Sequence, residues 1–207
     1  MGYLPVSILN AQAYCEYQIY LQYIRKIRPE PTAQMIKGRK RHEELEQEFL
    51  KEAAPLPEPV ETYIPKVMRG EARPFVAREL FVFSDGRGMC GKIDEAEVNP
   101  ETVFVIDDKP NPYPYAGTVN QLRAYCLLFQ DQFSWTKPIC SLLRDRDTGK
   151  VVWKEDFASE QKQSIEGTVQ HLRDLFSGKA GFTHAESSGR CRSCRFKFCC
   201  EFGGGAK

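Results

Sequence analysis

The sequence predicts a mixed α/β protein: a mixed β-sheet core flanked by helices, with helices ahead of it and a cysteine tail behind it. Three observations predict the α/β class. Apolar residues recur at helical spacing over roughly the first fifty residues. From Phe75 the period changes to two, and three strand-like segments follow one another. Helix-like and strand-like segments then alternate to the cysteine tail. At 207 residues the chain makes one domain, 1–207, and can bury a core without staples.

Ser7 is placed to cap a first helix running to about Arg28. Leu9, Ala13, Tyr17 and Leu21 share a face of it, and Pro29 and Pro31 end it. Thr32 caps a second helix from about Ala33 to Ala53, with Met35, Gly38, His42, Leu45 and Phe49 on one stripe. Pro55, Pro57, Pro59 and Pro65 then read as a stiff connector. Val76–Phe83 and Met89–Val98 read as strands joined at Asp85-Gly86 and Gly88. Asn99-Pro100 turns the chain into a third strand, Glu101–Lys109. A helix over Thr118–Gln130, a hairpin from Trp135–Leu143 and Lys150–Asp156, and a helix over Ser159–Phe176 complete the core. The run Gly203-Gly204-Gly205 reads as a flexible end.

The charged fraction of 28% and hydrophobic fraction of 42% are ordinary for a globular protein. No apolar run is long enough to span a bilayer, and no signal-peptide pattern opens the chain. The expectation is a cytoplasmic protein with no membrane partner. The net charge of +1 announces no polyanion, but two local runs are basic: Lys37 to Arg41 and Arg190 to Lys197.

The chemistry concentrates at the end of the third strand. Val103, Phe104, Val105 and Ile106 lead into Asp107, Asp108 and Lys109. Asp107 and Lys109 share a face, and Asp108 takes the other. On the preceding strand Lys92, Asp94 and Ala96 are expected to share a face, which lets Asp94 and Asp107 converge. Two carboxylates with a backbone carbonyl suit magnesium or manganese, and a lysine beside them suits phosphate chemistry. Taken alone, the same tripeptide also fits a surface salt bridge. His42, one turn after Gly38, is a further candidate ligand.

Gly38-x-x-x-His42, Gly91-x-x-Asp94, Asp107-x-Lys109 and Gln121-x-x-x-Tyr125 stand in the order of the RecB-like branch of the PD-(D/E)XK nucleases, which this chain resembles. The resemblance implies a restriction-endonuclease-like core and metal ligation by His42, Asp94 and Asp107; the neighbouring Asp108 is a further metal-ligand candidate. It implies that Lys109 assists the attacking water and that Gln121 and Tyr125 face the active site. Many relatives carry Glu at the position of Asp107.

Of eight cysteines, Cys90, Cys126 and Cys140 sit singly in apolar patterns and read as core. Cys191, Cys194, Cys199 and Cys200 fall within ten residues, a metal-binding pattern in a cytoplasmic protein. From Cys194 either Cys199 or Cys200 fits as the next ligand, and Cys15 on the first helix fits as a fourth. Four thiolates suit zinc or an iron–sulfur cluster. The chain also resembles CRISPR-associated exonucleases of the "Cas-four" type, which carry an early cysteine and a distal C-x₂-C-x₅-C. That resemblance implies Cys15, Cys191, Cys194 and Cys200 around an iron–sulfur cluster, [4Fe-4S] favoured and [2Fe-2S] possible. Residues 1–28 and 180–202 would form its subregion.

The resemblance further implies a metal-dependent exonuclease acting 5′ to 3′ on single-stranded DNA. It would process ends in CRISPR adaptation beside integrase subunits. A catalytically inactive nucleic-acid-binding module and a zinc or iron–sulfur structural protein are the alternatives. Nothing in the sequence sets the oligomeric state.

Overall fold

The structure is a computed structural model that describes residues 2–110 and 112–203. Gly204 and Gly205 lie outside the described residues.

Cys15 breaks the first predicted helix. Helix α1 (Ile8–Tyr14) ends at Cys15, whose backbone is extended, and α2 (Glu16–Ile19) continues into a π-helical turn at Tyr20–Ile24. Thr32 caps α3 (Ala33–Glu52) as expected, accepting from the Met35 N–H. The proline-rich connector holds a helix that the sequence reading missed, α4 (Val60–Met68). Pro65 lies within it, yet Tyr63, Ile64 and Val67 make a buried stripe at helical spacing that outweighs the proline.

A short strand β1 (Leu4–Pro5) precedes the three expected ones, β2 (Phe75–Ser84), β3 (Met89–Val98) and β4 (Val103–Lys109). Helix α5 (Ala116–Phe133) crosses over to β5 (Ile139–Asp145), which pairs in parallel with β4. Strand β6 (Val151–Asp156), α6 (Ser159–Ser177) and a short α7 (Ser188–Ser193) follow. The six strands form one mixed sheet in the order β1-β3-β4-β5-β6, with β2 antiparallel to β3. Helix α5 is buried along most of its length, and α6 adds Ile165, Val169, Leu172 and Leu175 to the same core. Among the described residues no helix is long and apolar enough to cross a membrane.

Candidate functional site

The strand alternation is interrupted at one place on two neighbouring strands. On β3, Met89 and Ile93 are buried, then Ala96 and Val98, so the buried face steps by three between Ile93 and Ala96. On β2, Phe75 and Ala77 pack against the core, then Leu80 and Val82 are buried in it. Pairing skips the same spot. Arg78 pairs with Glu95 and Leu80 with Ile93, leaving Glu79 and Asp94 outside the ladder. Glu79 sits at φ 49°, a left-handed backbone that costs a non-glycine residue about 1 kcal/mol or more. The expectation that Lys92, Asp94 and Ala96 share a face is corrected here: Lys92 is 59% exposed and Ala96 is fully buried.

The reset gathers the acids. Glu95 pairs with Ile106, and one further step of that register sets Asp94 opposite Asp107. The Asp108 N–H donates to Asp94 Oδ2 at 2.9 Å. His42, reaching in from α3, places Nδ1 3.6 Å from Glu79 Oε1 and 3.7 Å from Asp94 Oδ1. Among the described residues, His42, Glu79 and Asp94 are the one group of three metal-ligating side chains whose donor atoms all lie within 4.8 Å of one another. Asp107 is 1% exposed, and its Oδ1 accepts from Lys109 Nζ at 2.7 Å. Its Oδ2 is buried with no hydrogen-bond partner. Asp107 is not in that group, but it stands across the ladder from Asp94, and a buried carboxylate oxygen left orphaned there is what a hard divalent cation satisfies.

The electrostatics agree. Burial, and then the negative charge of Asp107, push the Asp94 carboxyl up to about 7. Burial works against the Lys109 ammonium, but Asp107 and Asp94 outweigh it and hold its pKa above the ordinary value. The Glu79 carboxylate beside it raises His42, against its burial, and Asp94 adds to the rise.

Asp108 does not join this group. Its carboxylate is on the other side of β4, where Arg144 donates to it from Nε at 2.7 Å and from Nη2 at 2.9 Å. That fork, against the effect of burial, holds the carboxyl below its usual range. The expectation of an Asp108 side-chain ligand is therefore corrected; what it lends the site is its backbone N–H.

Gln121 and Tyr125 are both buried on α5, where Gln121 Nε2 donates to the Tyr125 hydroxyl at 3.1 Å. Gln121 Oε1 accepts from Asn10. The Tyr125 ring rests on Gly91, where a Cβ would approach Cε1 to 2.7 Å. Gly91 thus lets α5 settle onto β3 beside the acids. Burial pushes the Tyr125 hydroxyl up, and Asp94 and Asp107 push it further, so it stays protonated. A Cβ at Gly38 would meet nothing within 4 Å, so the turn before His42 faces open space.

Glu79 escaped the sequence reading, although a signal existed. Counting back from the Asp85-Gly86 turn sets Glu79 across from Asp94, since Val82 pairs with Gly91 and Leu80 with Ile93.

At the other end of the chain, Cys15, Cys191, Cys194 and Cys200 line one small cavity of about 20 Å³, together with Tyr14, Gln18, Arg190 and Phe196. Cys199 is not among its lining, and its thiol donates to the Phe196 carbonyl. Cys194 Sγ accepts from Gln18 Nε2 at 3.3 Å and from the Phe196 N–H at 3.4 Å, and Cys15 Sγ from the Ala185 N–H at 3.4 Å. Phe196 is fully buried there, whereas Phe198 is exposed. The tail is fastened to the N-terminal helices directly. Arg190 donates to the Tyr14 carbonyl at 3.0 Å, Tyr14 donates to the Arg190 carbonyl at 2.6 Å, and Arg195 donates to Gln22 at 2.6 Å.

Residues 1–104 match the family described as exonuclease V, a 5′ deoxyribonuclease. No curated protein matches the chain. Two crystal structures share the fold with a TM-score of 0.52 and 13% identity each. One, described as SSO0001, is covered over 87% of its length by 97% of this chain. The other, a protein from Eubacterium rectale provisionally named an exonuclease, is covered over 88% by 93% of this chain.

Proposed function

The chain belongs to the exonuclease V family, and from that premise we propose that it is a metal-dependent exonuclease degrading single-stranded DNA from the 5′ end. The observation that carries the metal requirement is the His42–Glu79–Asp94 group, with the buried, partnerless Asp107 Oδ2 on the residue across the ladder from Asp94. These four residues would hold magnesium or manganese, since the donors are hard carboxylate oxygens with one imidazole. Bound by these residues, such an ion would supply an acidic water as nucleophile and positive charge for phosphate chemistry. Lys109, kept cationic by Asp107, stands ready to orient that water or to offset charge growing on the phosphate. Tyr125 and Gln121 wall the site as neutral hydrogen-bonding groups. The exposed Lys37, Arg39 and Lys40, on the helix that delivers His42, suit a DNA backbone.

Single strands labelled at either end, with each terminus blocked in turn, test this reading. The 5′ label is expected in short products first, only with added Mg²⁺ or Mn²⁺. Unchanged cutting in a chelator, or release from the 3′ end first, overturns it.

A pH dependence follows from Asp94. Its pKa when folded, about 7, lies above the ordinary carboxylate value. Without metal, the stability linked to its proton is full below the unfolded pKa and is lost as pH rises through 7. Metal needs Asp94 ionised and His42 neutral, and both are raised, so Mn²⁺ affinity is expected to rise at least tenfold per pH unit up to about 7. Titration calorimetry at pH 5.5, 6.5 and 8 measures it, and a flat profile contradicts the assignment.

By the sequence resemblance, we propose that these four cysteines hold an iron–sulfur cluster, [4Fe-4S] favoured and [2Fe-2S] possible. Thiolates around one zinc ion at about 2.3 Å sit roughly 3.8 Å apart. No three of these four come within 4.8 Å of one another. The N–H groups directed at Cys15 and Cys194 are the donors a charged thiolate needs. Such a cluster would supply a cross-link between the chain's two ends. By the sequence resemblance, the proposal extends to trimming DNA ends for CRISPR integrase subunits, which co-purification tests.

A further inference from the structure

The residues beside the acidic ligands in sequence belong to one charge network on the other side of the sheet. Arg78 precedes Glu79, Glu95 follows Asp94, and Asp108 follows Asp107. Arg144 of β5 closes the network. Arg144 donates to both oxygens of Asp108 and from Nη1 to Glu95 Oε1 at 2.8 Å. Arg78 donates to Asp108 Oδ2 at 3.2 Å and to Glu95. The side chains of Arg78, Glu95 and Asp108 are nearly or fully buried, and that of Arg144 is mostly so. The two arginines and two carboxylates balance.

From this juxtaposition we infer that the Arg78–Glu95–Asp108–Arg144 network is a positioning device for the metal site. It fixes the spacing of Glu79, Asp94 and Asp107 across three strands. This inference rests on the metal reading above. The physical need is plain. Three carboxylates without a cation repel, and the β2–β3 ladder is interrupted where two of them stand. Backbone pairing flanks Glu79 and Asp94 but is missing at the two residues themselves, so it does not by itself set their carboxylates. Bidentate arginine–carboxylate bonds on the opposite face can set them, because each fixes direction as well as separation. The coupling has a direct path: Arg144 grips the Asp108 carboxylate, and the Asp108 N–H grips Asp94 Oδ2, leaving Oδ1 turned to His42. All four are positioning residues, since none faces the metal group.

Arg144→Lys keeps the charge and loses the fork, and Glu95→Gln weakens the network from a second strand. Mn²⁺ binding to the full-length variants, read from the electron paramagnetic resonance of the free aquo ion without DNA, is expected to weaken about tenfold or more. Nuclease activity is expected to recover largely as Mn²⁺ is raised, which loss of folded protein would not allow. Circular dichroism identifies folded variants, and if Arg144→Lys fails to fold, Glu95→Gln decides. Unchanged Mn²⁺ affinity in a folded variant overturns the positioning role while leaving the metal site standing. A parent protein that binds no Mn²⁺ overturns both.

Discussion

Asp94→Asn yields a protein that melts higher than its parent at pH 8 and cuts DNA about 10³-fold more slowly, the scale set by losing a preorganised charged group. The two effects share a cause. Asp94 is largely buried, lies opposite Asp107, and has its carboxyl pushed up to about 7 by burial and that neighbouring charge. At pH 8 the folded protein without metal carries that charge against its preference. Asparagine keeps the oxygen that accepts from the Asp108 N–H and removes the repulsion. After relaxation and water entry, relief of about 1–2 kcal/mol remains, or roughly 2–8 °C for a chain of this size. The same change removes an anionic ligand, so the rate falls and Mn²⁺ ceases to raise the melting temperature. Such a trade of activity for stability is usual where a site stores like charges. Melting with and without Mn²⁺, beside a cleavage assay, checks it. A lower melting temperature with activity within tenfold of the parent removes Asp94 from the ligand set.

Why Asp94 was legible and Glu79 was not follows from local signals. Asp107 and Lys109 cap the most apolar strand, and period-two alternation assigns them a common face from sequence alone. Asp94 stands in a short motif with Gly91, and the Tyr125 ring lying on Gly91 explains why that residue has no side chain. Glu79 belongs to no motif, and its place depends on hairpin register. Alternation then misleads at that same pair, because Glu79 takes a left-handed backbone and both strands reset their faces. The same limit explains Asp108. Its residue type fits a ligand, and only the parallel pairing of β4 with β5, which sets Asp108 against Arg144, shows that its carboxylate is already taken. Helix α4 was hidden by prolines, which the burial of Tyr63, Ile64 and Val67 outweighs. The helices, strands and turns with strong local patterns were readable, and what depended on pairing between distant segments was not.

Cys194→Ser is expected to bleach the protein and free its tail, whereas Cys199→Ser leaves both intact. Cys194 lines the cavity with Cys15, Cys191 and Cys200, and takes hydrogen bonds from Gln18 and the Phe196 N–H. Cys199 lies outside that lining. A cross-link from Cys15 to the tail closes a loop of most of the chain. The loop-entropy model gives such a closure on the order of 5 kcal/mol, reduced by whatever order the open chain retains. Other bonds tie the same two ends: Arg190 donates to the Tyr14 carbonyl and Arg195 to Gln22. The tail should therefore loosen without the whole fold being lost. Trypsin provides the readout, since Arg192 and Lys197 are exposed and flank Cys194. Cys194→Ser should be clipped there many times faster than the parent, with iron and visible absorbance lost together. Anaerobic purification with metal analysis distinguishes the rival. Colourless protein with stoichiometric zinc would replace the cluster by a single ion, and equal tail cleavage in Cys199→Ser would mean that the cavity's lining does not identify the ligands.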